Sequence, residues 1–210
     1  MKTALVTTCW LGTEGYIQRL NKWLAYYIGP ISQDLKYDDI IILDNASPFE
    51  ELAKIQAAFP NVKINRFYRH YSRPEFYNYM YLWRAVDFYA ELFNTYDKVI
   101  YMDNDFYILS ERFVNHINNL ASEWHSPWCN KHKFPETGLQ IIHKNAATYR
   151  ISRPFSRFNG QCMEHVLPVE VDKAWVGDRH SEDSLLIQQP SWDYTAQAIN
   201  NMDLRYKCAP

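Results

Sequence analysis

The chain lacks any Cys-x-x-Cys pair. Cys9, Cys129, Cys162 and Cys208 stand far apart, which indicates neither a zinc site nor a disulfide scaffold and suits a reduced, cytoplasmic setting. It also lacks an apolar run of the ~18–20 residues that a spanning helix needs. The N-terminal MKTALVTTCWLG is too short an apolar run for a signal peptide and reads better as a first strand. No run of like charges occurs, and 22 basic against 24 acidic residues leave a net charge of -2. That balance argues against a nucleic-acid partner held by bulk electrostatics. Internal repeats and low-complexity linkers are missing as well.

What is present is a folded composition, 47% hydrophobic and 16% aromatic over 210 residues. A chain of this size is expected to form one domain and to bury roughly two-thirds of its surface or more. Strand and helix signals alternate through the first half. Ala4–Thr8 is a short apolar strand, and Ile17, Leu20, Leu24 and Ile28 then recur at helical spacing up to Gly29-Pro30. Ile40–Leu43 is a second apolar run, Phe49–Phe59 a helix closed by Pro60, and Val62–Phe67 a third strand. Phe76, Met80, Trp83, Val86 and Ala90 mark one face of a longer helix, followed by a strand over Val99–Met102 and a helix over Glu111–Leu120. Beyond Glu123 the pattern loosens: 126–136 reads as a loop, Gly138–Ile142 as a strand, 152–160 has no clear period, and Ser181–Gln189 reads as a short helix capped by Ser181. Continuous apolar strands, each followed by a helix, predict an α/β fold with a mostly parallel central sheet and helices on both faces.

The strand KVIYMDNDFYI (98–108) runs into two carboxylates, Asp103 and Asp105. In an open parallel sheet, ligands bind beyond the carboxyl ends of the strands. Thr8-Cys9-Trp10, Asp44-Asn45 and Asp103-Asn104-Asp105 each follow a predicted strand, so parallel strands would bring all three groups to one edge. For Asp44 the alternative is plain turn chemistry. Two neighbouring carboxylates repel each other, and a shared cation is the simplest way to keep both ionised. Oxygen-only ligands suit a hard ion, Mg²⁺ or Mn²⁺, which leaves positions for water and phosphate oxygens.

DKVIYMDNDF resembles the DxD segment of the GT-A fold glycosyltransferases, which transfer sugars from nucleotide-sugar donors. IILDNASPFEE resembles the second-strand segment of their large inverting family, and HSEDSLL the acidic helix start that follows the acceptor strand. The resemblance spans roughly residues 3 to 190 and extends to a glycosyltransferase domain of a large chlorella-virus protein, which would set the chain in a host cytoplasm. It implies a Rossmann-like GT-A domain over 1–210, with a nucleotide-sugar donor half at 1–122 and an acceptor half at 123–210. The C-terminal NMDLRYKCAP does not read as a natural stop and leaves open an excised domain.

Carried over by position, the resemblance implies that Asp105 binds the metal and that Asp103 binds it or the donor ribose. Asp44 and the Thr8–Cys9–Trp10 edge would hold uracil and ribose. Arg84, in YLWRAV, matches an arginine on the helix before the DxD and would steady its carboxylates or the donor phosphates; a surface salt bridge is the plain alternative. Arg73 is a second arginine for the same work, with a solvated loop residue as its plain reading. If the enzyme inverts configuration, a carboxylate must deprotonate the acceptor hydroxyl. Asp183 is the first choice and Glu182 the second; alternatively both only favour a helix start. Trp128, rather than Trp175 or Trp192, is taken as an acceptor-sugar platform, although large aromatics are more often core.

The implied function is therefore Mn²⁺- or Mg²⁺-dependent transfer of a sugar from a UDP-sugar to a glycan or glycoconjugate. Many metal-dependent members add a histidine ligand near the C-terminus, whereas no histidine follows His180 here. His70, His116, His125 and His132 have no partner at metal-ligand spacing, and His143 falls in a predicted strand and reads as a core or edge residue. A haloacid-dehalogenase-like phosphatase would use Asp103 as nucleophile and Asp105 as acid, but that motif normally opens its domain and here three strand units precede it. A non-catalytic carbohydrate-binding domain is the other rival.

Overall fold

The computed structural model describes residues 1–29, 34–67, 69–70, 91–108, 111–120, 124–126, 139–144, 170–171 and 184–186. In chain order these give β1 (Thr3–Cys9), α1 (Glu14–Ile28), β2 (Asp39–Asp44), α2 (Phe49–Ala58), β3 (Lys63–Arg66), β4 (Lys98–Met102), β5 (Phe106–Ile108), α3 (Glu111–Asn119), β6 (Trp124–Ser126), β7 (Leu139–His143), β8 (Glu170–Val171) and β9 (Ser184–Leu186). The main sheet runs β3-β2-β1-β4-β7-β6-β8, and β5 and β9 form a separate ribbon. Pairing is parallel from β3 through β4. It turns antiparallel at β7 and β6, and β8 lies parallel to β6.

The parallel strands are apolar without alternation because both of their faces are covered. Leu5, Ile40, Ile42, Ile100, Met102, Leu139 and Ile141 face one core, shared with Leu20, Trp23, Leu24 and Tyr27 of α1, Leu52 and Ile55 of α2, and Phe113, Val114 and Ile117 of α3. Strand residues of the other parity, among them Ala4, Val6, Ile41, Leu43, Val99 and Tyr101, are buried too, but outside that cluster. Side chains alternate along a strand, so the same parity sorts the residues at the strand ends. Thr8, Tyr101 and Asp103 share one face; Cys9, Asp44 and Asn104 share the face covered by α1.

Two expectations for the second half are corrected. Ser184–Leu186 is a strand, not part of a helix capped by Ser181; it pairs antiparallel with Phe106–Ile108, Leu186 beside Phe106 and Ser184 beside Ile108. A run of three residues carries no usable period, and the backbone of β5 offers it a ladder. Trp124–Ser126 likewise joins the sheet through β7, where no strand was expected. The expected helix around residues 76–90 lies outside the described residues. Among the described residues no helix is long and apolar enough to cross a membrane.

Candidate active site

Because β1, β2 and β4 are adjacent and parallel, Thr8-Cys9-Trp10, Asp44-Asn45 and Asp103-Asn104-Asp105 do meet at one edge of the sheet. Asn104 stitches that edge together. Its Nδ2 donates to the Thr8 carbonyl at 2.7 Å, and its Oδ1 accepts from Arg19 Nε. Arg19 Nη1 lies 3.1 Å from Asp105 Oδ2, each side chain only 14% exposed. The other Asp105 oxygen, Oδ1, is buried and makes no hydrogen bond. Burial pushes the Asp105 carboxyl up to about 6, against the pull of Arg19 and with a further push from the Asp103 charge.

Asp103 has a different holder. The Tyr101 hydroxyl donates to its Oδ1 at 2.8 Å and lies 3.2 Å from Thr8 Oγ1. Behind the motif, α1 pins β5 through its aromatic face. Tyr27 Oη donates to the Phe106 carbonyl and receives the Ile108 amide, both at 3.2 Å, and Tyr26 Oη donates to the Ile108 carbonyl. Tyr26 also meets the Tyr107 ring edge-on.

Asp44 is fully enclosed. The Ser47 hydroxyl and amide donate to it, the Cys9 thiol donates at 3.6 Å, and Arg66 Nε lies 3.4 Å away. Burial raises its pKa despite the Ser47 bonds that oppose the rise, and burial, with Asp44 alongside, pushes the Cys9 thiol well up. The knot closes a turn in which Ala46 takes a positive φ of 55° and the Leu11 amide donates to Ser47 Oγ at 2.8 Å. The knot therefore fixes the backbone where β1 and β2 end.

Above the knot sits an aromatic pair. The Trp10 ring lies 4.8 Å from the exposed His70 ring at 38°, with Tyr16 edge-on at 5.5 Å, and His70 Nδ1 contacts the Asn45 carbonyl at 3.1 Å. Gly12 makes room for this arrangement: a Cβ there would fall 2.0 Å from Trp10 Cζ2. Arg66 stacks on the exposed Phe49 ring nearby, at 4.1 Å.

No protein-family model matches the chain, and no curated protein matches it by sequence. Solved structures do. A glycosyltransferase involved in the glycosylation of the major capsid of PBCV-1, a chlorella virus, aligns over 96% of this chain and 100% of its own, at 12% identity and a TM-score of 0.53. The fold is GT-A. The 4-diphosphocytidyl-2C-methyl-D-erythritol synthase of Anaerococcus prevotii follows at 11% identity and TM-score 0.50, over 95% of this chain and 99% of its own. The galactosyltransferase LgtC covers 73% of this chain and 60% of its own, at 12% identity and TM-score 0.46.

At this edge lie Thr8, Cys9, Trp10, Asp44, Asp103 and Asp105, as the sequence placed them, together with Arg19, Tyr101 and Asn104, which sequence reasoning did not single out. Tyr101 was findable, since it stands two residues before Asp103 on the same strand face. Arg19 was not, standing 85 positions before Asn104. His70, read as uninvolved, belongs to the edge through Trp10. Arg73, Arg84, Trp128, Glu182 and Asp183 lie outside the described residues.

Proposed function

We propose that this chain is a glycosyltransferase that moves a sugar from a UDP-sugar to a glycan or glycoconjugate acceptor, with Mn²⁺ or Mg²⁺ at Asp103 and Asp105. The observation that carries the reading is the convergence of those two carboxylates with the ends of β1 and β2 at one sheet edge of a GT-A fold.

The residues fit a hard divalent ion. Their donors are carboxylate oxygens only, and Asp105 Oδ1 is a buried oxygen without a partner. Among the described residues no third His, Cys, Asp or Glu joins them, so phosphate and water oxygens would complete the shell. When bound, such an ion supplies charge stabilisation for the departing nucleoside diphosphate. The chain's own part is orientation. Tyr101 fixes Asp103, Arg19 and Asn104 fix the far side of the motif, and Trp10 with His70 offers a stacking face for uracil. Cys9, Asp44 and Ser47 hold the turn beneath that face. Arg84 and Arg73 are assigned to the donor phosphates, Trp128 to the acceptor sugar, and Asp183 (then Glu182) to acceptor deprotonation in an inverting reaction.

The test is calorimetric titration of UDP with and without Mn²⁺, on wild type and Asp105→Asn. The expected result is metal-dependent binding that collapses in the variant, followed by UDP release from one member of a donor-sugar panel. Absence of UDP binding under every metal condition overturns the assignment. Pyrophosphate release from a nucleoside triphosphate would instead place the chain with nucleotidyl transfer, and hydrolysis of an aryl phosphate with the phosphatases.

A further inference from the structure

Arg19 sits on α1, an element that otherwise contributes apolar and aromatic side chains to the core, and it reaches the motif between Asn104 and Asp105. A guanidinium thus already occupies one oxygen of the carboxylate that would receive a divalent ion, in a setting where both side chains are largely out of water. The neighbouring Asp103 accepts a hydrogen bond from the Tyr101 hydroxyl. Two cations a few ångströms apart at low local dielectric repel strongly, and a fixed guanidinium is not diluted away as a buffer ion is.

We propose that Arg19 is a positioning residue that sets the divalent-ion affinity of the Asp103–Asp105 pair by holding Asp105 in competition with the ion. Without the ion, Arg19 keeps Asp105 countered and the strand end closed against α1. As the ion arrives, Arg19 yields Asp105 Oδ2 or shares the carboxylate at an electrostatic penalty, while its bond to Asn104 keeps the side chain in place. Free Mn²⁺ is then held weakly. Donor diphosphate, which adds negative charge, shifts the balance toward the ion. The inference rests on the metal reading above and names the residue that tunes it.

The experiment measures Mn²⁺ binding by electron paramagnetic resonance, without nucleotide, on wild type, Arg19→Gln and Arg19→Lys. Removing the charge in Arg19→Gln should tighten Mn²⁺ binding about tenfold or more, while Arg19→Lys stays near wild type. Unchanged or weaker binding in Arg19→Gln overturns the proposal, as does equal tightening in both variants. Should Arg19→Gln fail to fold, the Arg19 Nη–H resonances of the wild-type protein, which report the contact to Asp105, are followed during Mg²⁺ titration. A saturable shift supports displacement, and a resonance unmoved through saturation overturns it. UDP binding is measured in parallel: UDP bound without dependence on divalent ions in all proteins overturns the competition and leaves the nucleotide reading standing. Ion competition with no UDP binding does the reverse.

Discussion

The Tyr101 hydroxyl donates to Asp103 Oδ1 at 2.8 Å from two residues earlier on the same face of β4. The ring is buried, so its position is fixed by the sheet and not by the carboxylate. Asp103 thereby inherits the rigidity of the strand, which is what a ligand to a hard ion or a ribose requires.

Tyr101→Phe removes that hydroxyl and leaves the ring in place. Asp103 is partly exposed and can be rehydrated, so the stability loss should be modest, about 1 kcal/mol by urea unfolding. Mn²⁺-dependent UDP affinity should fall by about tenfold, the usual effect of losing a residue that orients a ligand. An unchanged affinity would show that Tyr101 does not set the Asp103 geometry.

A second consequence concerns the aromatic face. Gly12 lies directly under the Trp10 indole, and an alanine Cβ would stand 2.0 to 2.4 Å from three of its ring atoms. The half-buried indole would swing away at little expense to the fold, and its stack on His70 would open. Gly12→Ala is therefore expected to unfold within about 1 kcal/mol of wild type while UDP binding weakens about tenfold, the scale of one base–aromatic stack. Near-UV dichroism reports the indole movement. Gly12→Ala with wild-type UDP affinity would remove the Trp10–His70 face from the nucleotide site.

These contacts mark where sequence reading succeeds and where it stops. The strands to Cys9, Asp44 and Met102 were legible because each is a continuous apolar run closed by polar residues, and their parallel order follows from the helical spacing of Leu20, Leu24, Leu52 and Ile55 between them. That order alone puts the polar strand ends on one edge. Ser184–Leu186 was misread since its pairing partner, Phe106–Ile108, is distant in sequence and neither segment is long enough to show a period. The enclosure of Asp44 was not legible in the sequence, because Cys9 and Arg66 reach it from the two neighbouring strands. The Arg19–Asp105 pair depends on the packing angle of α1, which no local pattern encodes.

Lys98 carries the last prediction. It opens β4 fully buried, and Nζ donates to the Ile117 carbonyl at 2.6 Å, with the Asn118 and Leu120 carbonyls at 3.4 Å. The Ile117 and Asn118 carbonyls belong to the last turn of α3 and the Leu120 carbonyl, also 3.0 Å from His143 Nε2, lies just past it, so the side chain caps that helix. Burial lowers its pKa to about 8, below the unfolded value near 10.4. The unfolded chain then binds more protons than the native one between those limits, so this group makes stability rise with pH from about 8 to 10.4. Below pH 8 both states are protonated and the burial penalty is fully present. Lys98→Met removes the titration and keeps the volume. The stability difference, wild type minus variant, should be flat from pH 6 to about 7.5 and then climb by about 1–3 kcal/mol toward pH 10.5. Using the difference cancels tyrosine titration common to both proteins. A difference that stays level throughout would mean that the three carbonyls hold the ammonium charged, and that its pKa is not lowered.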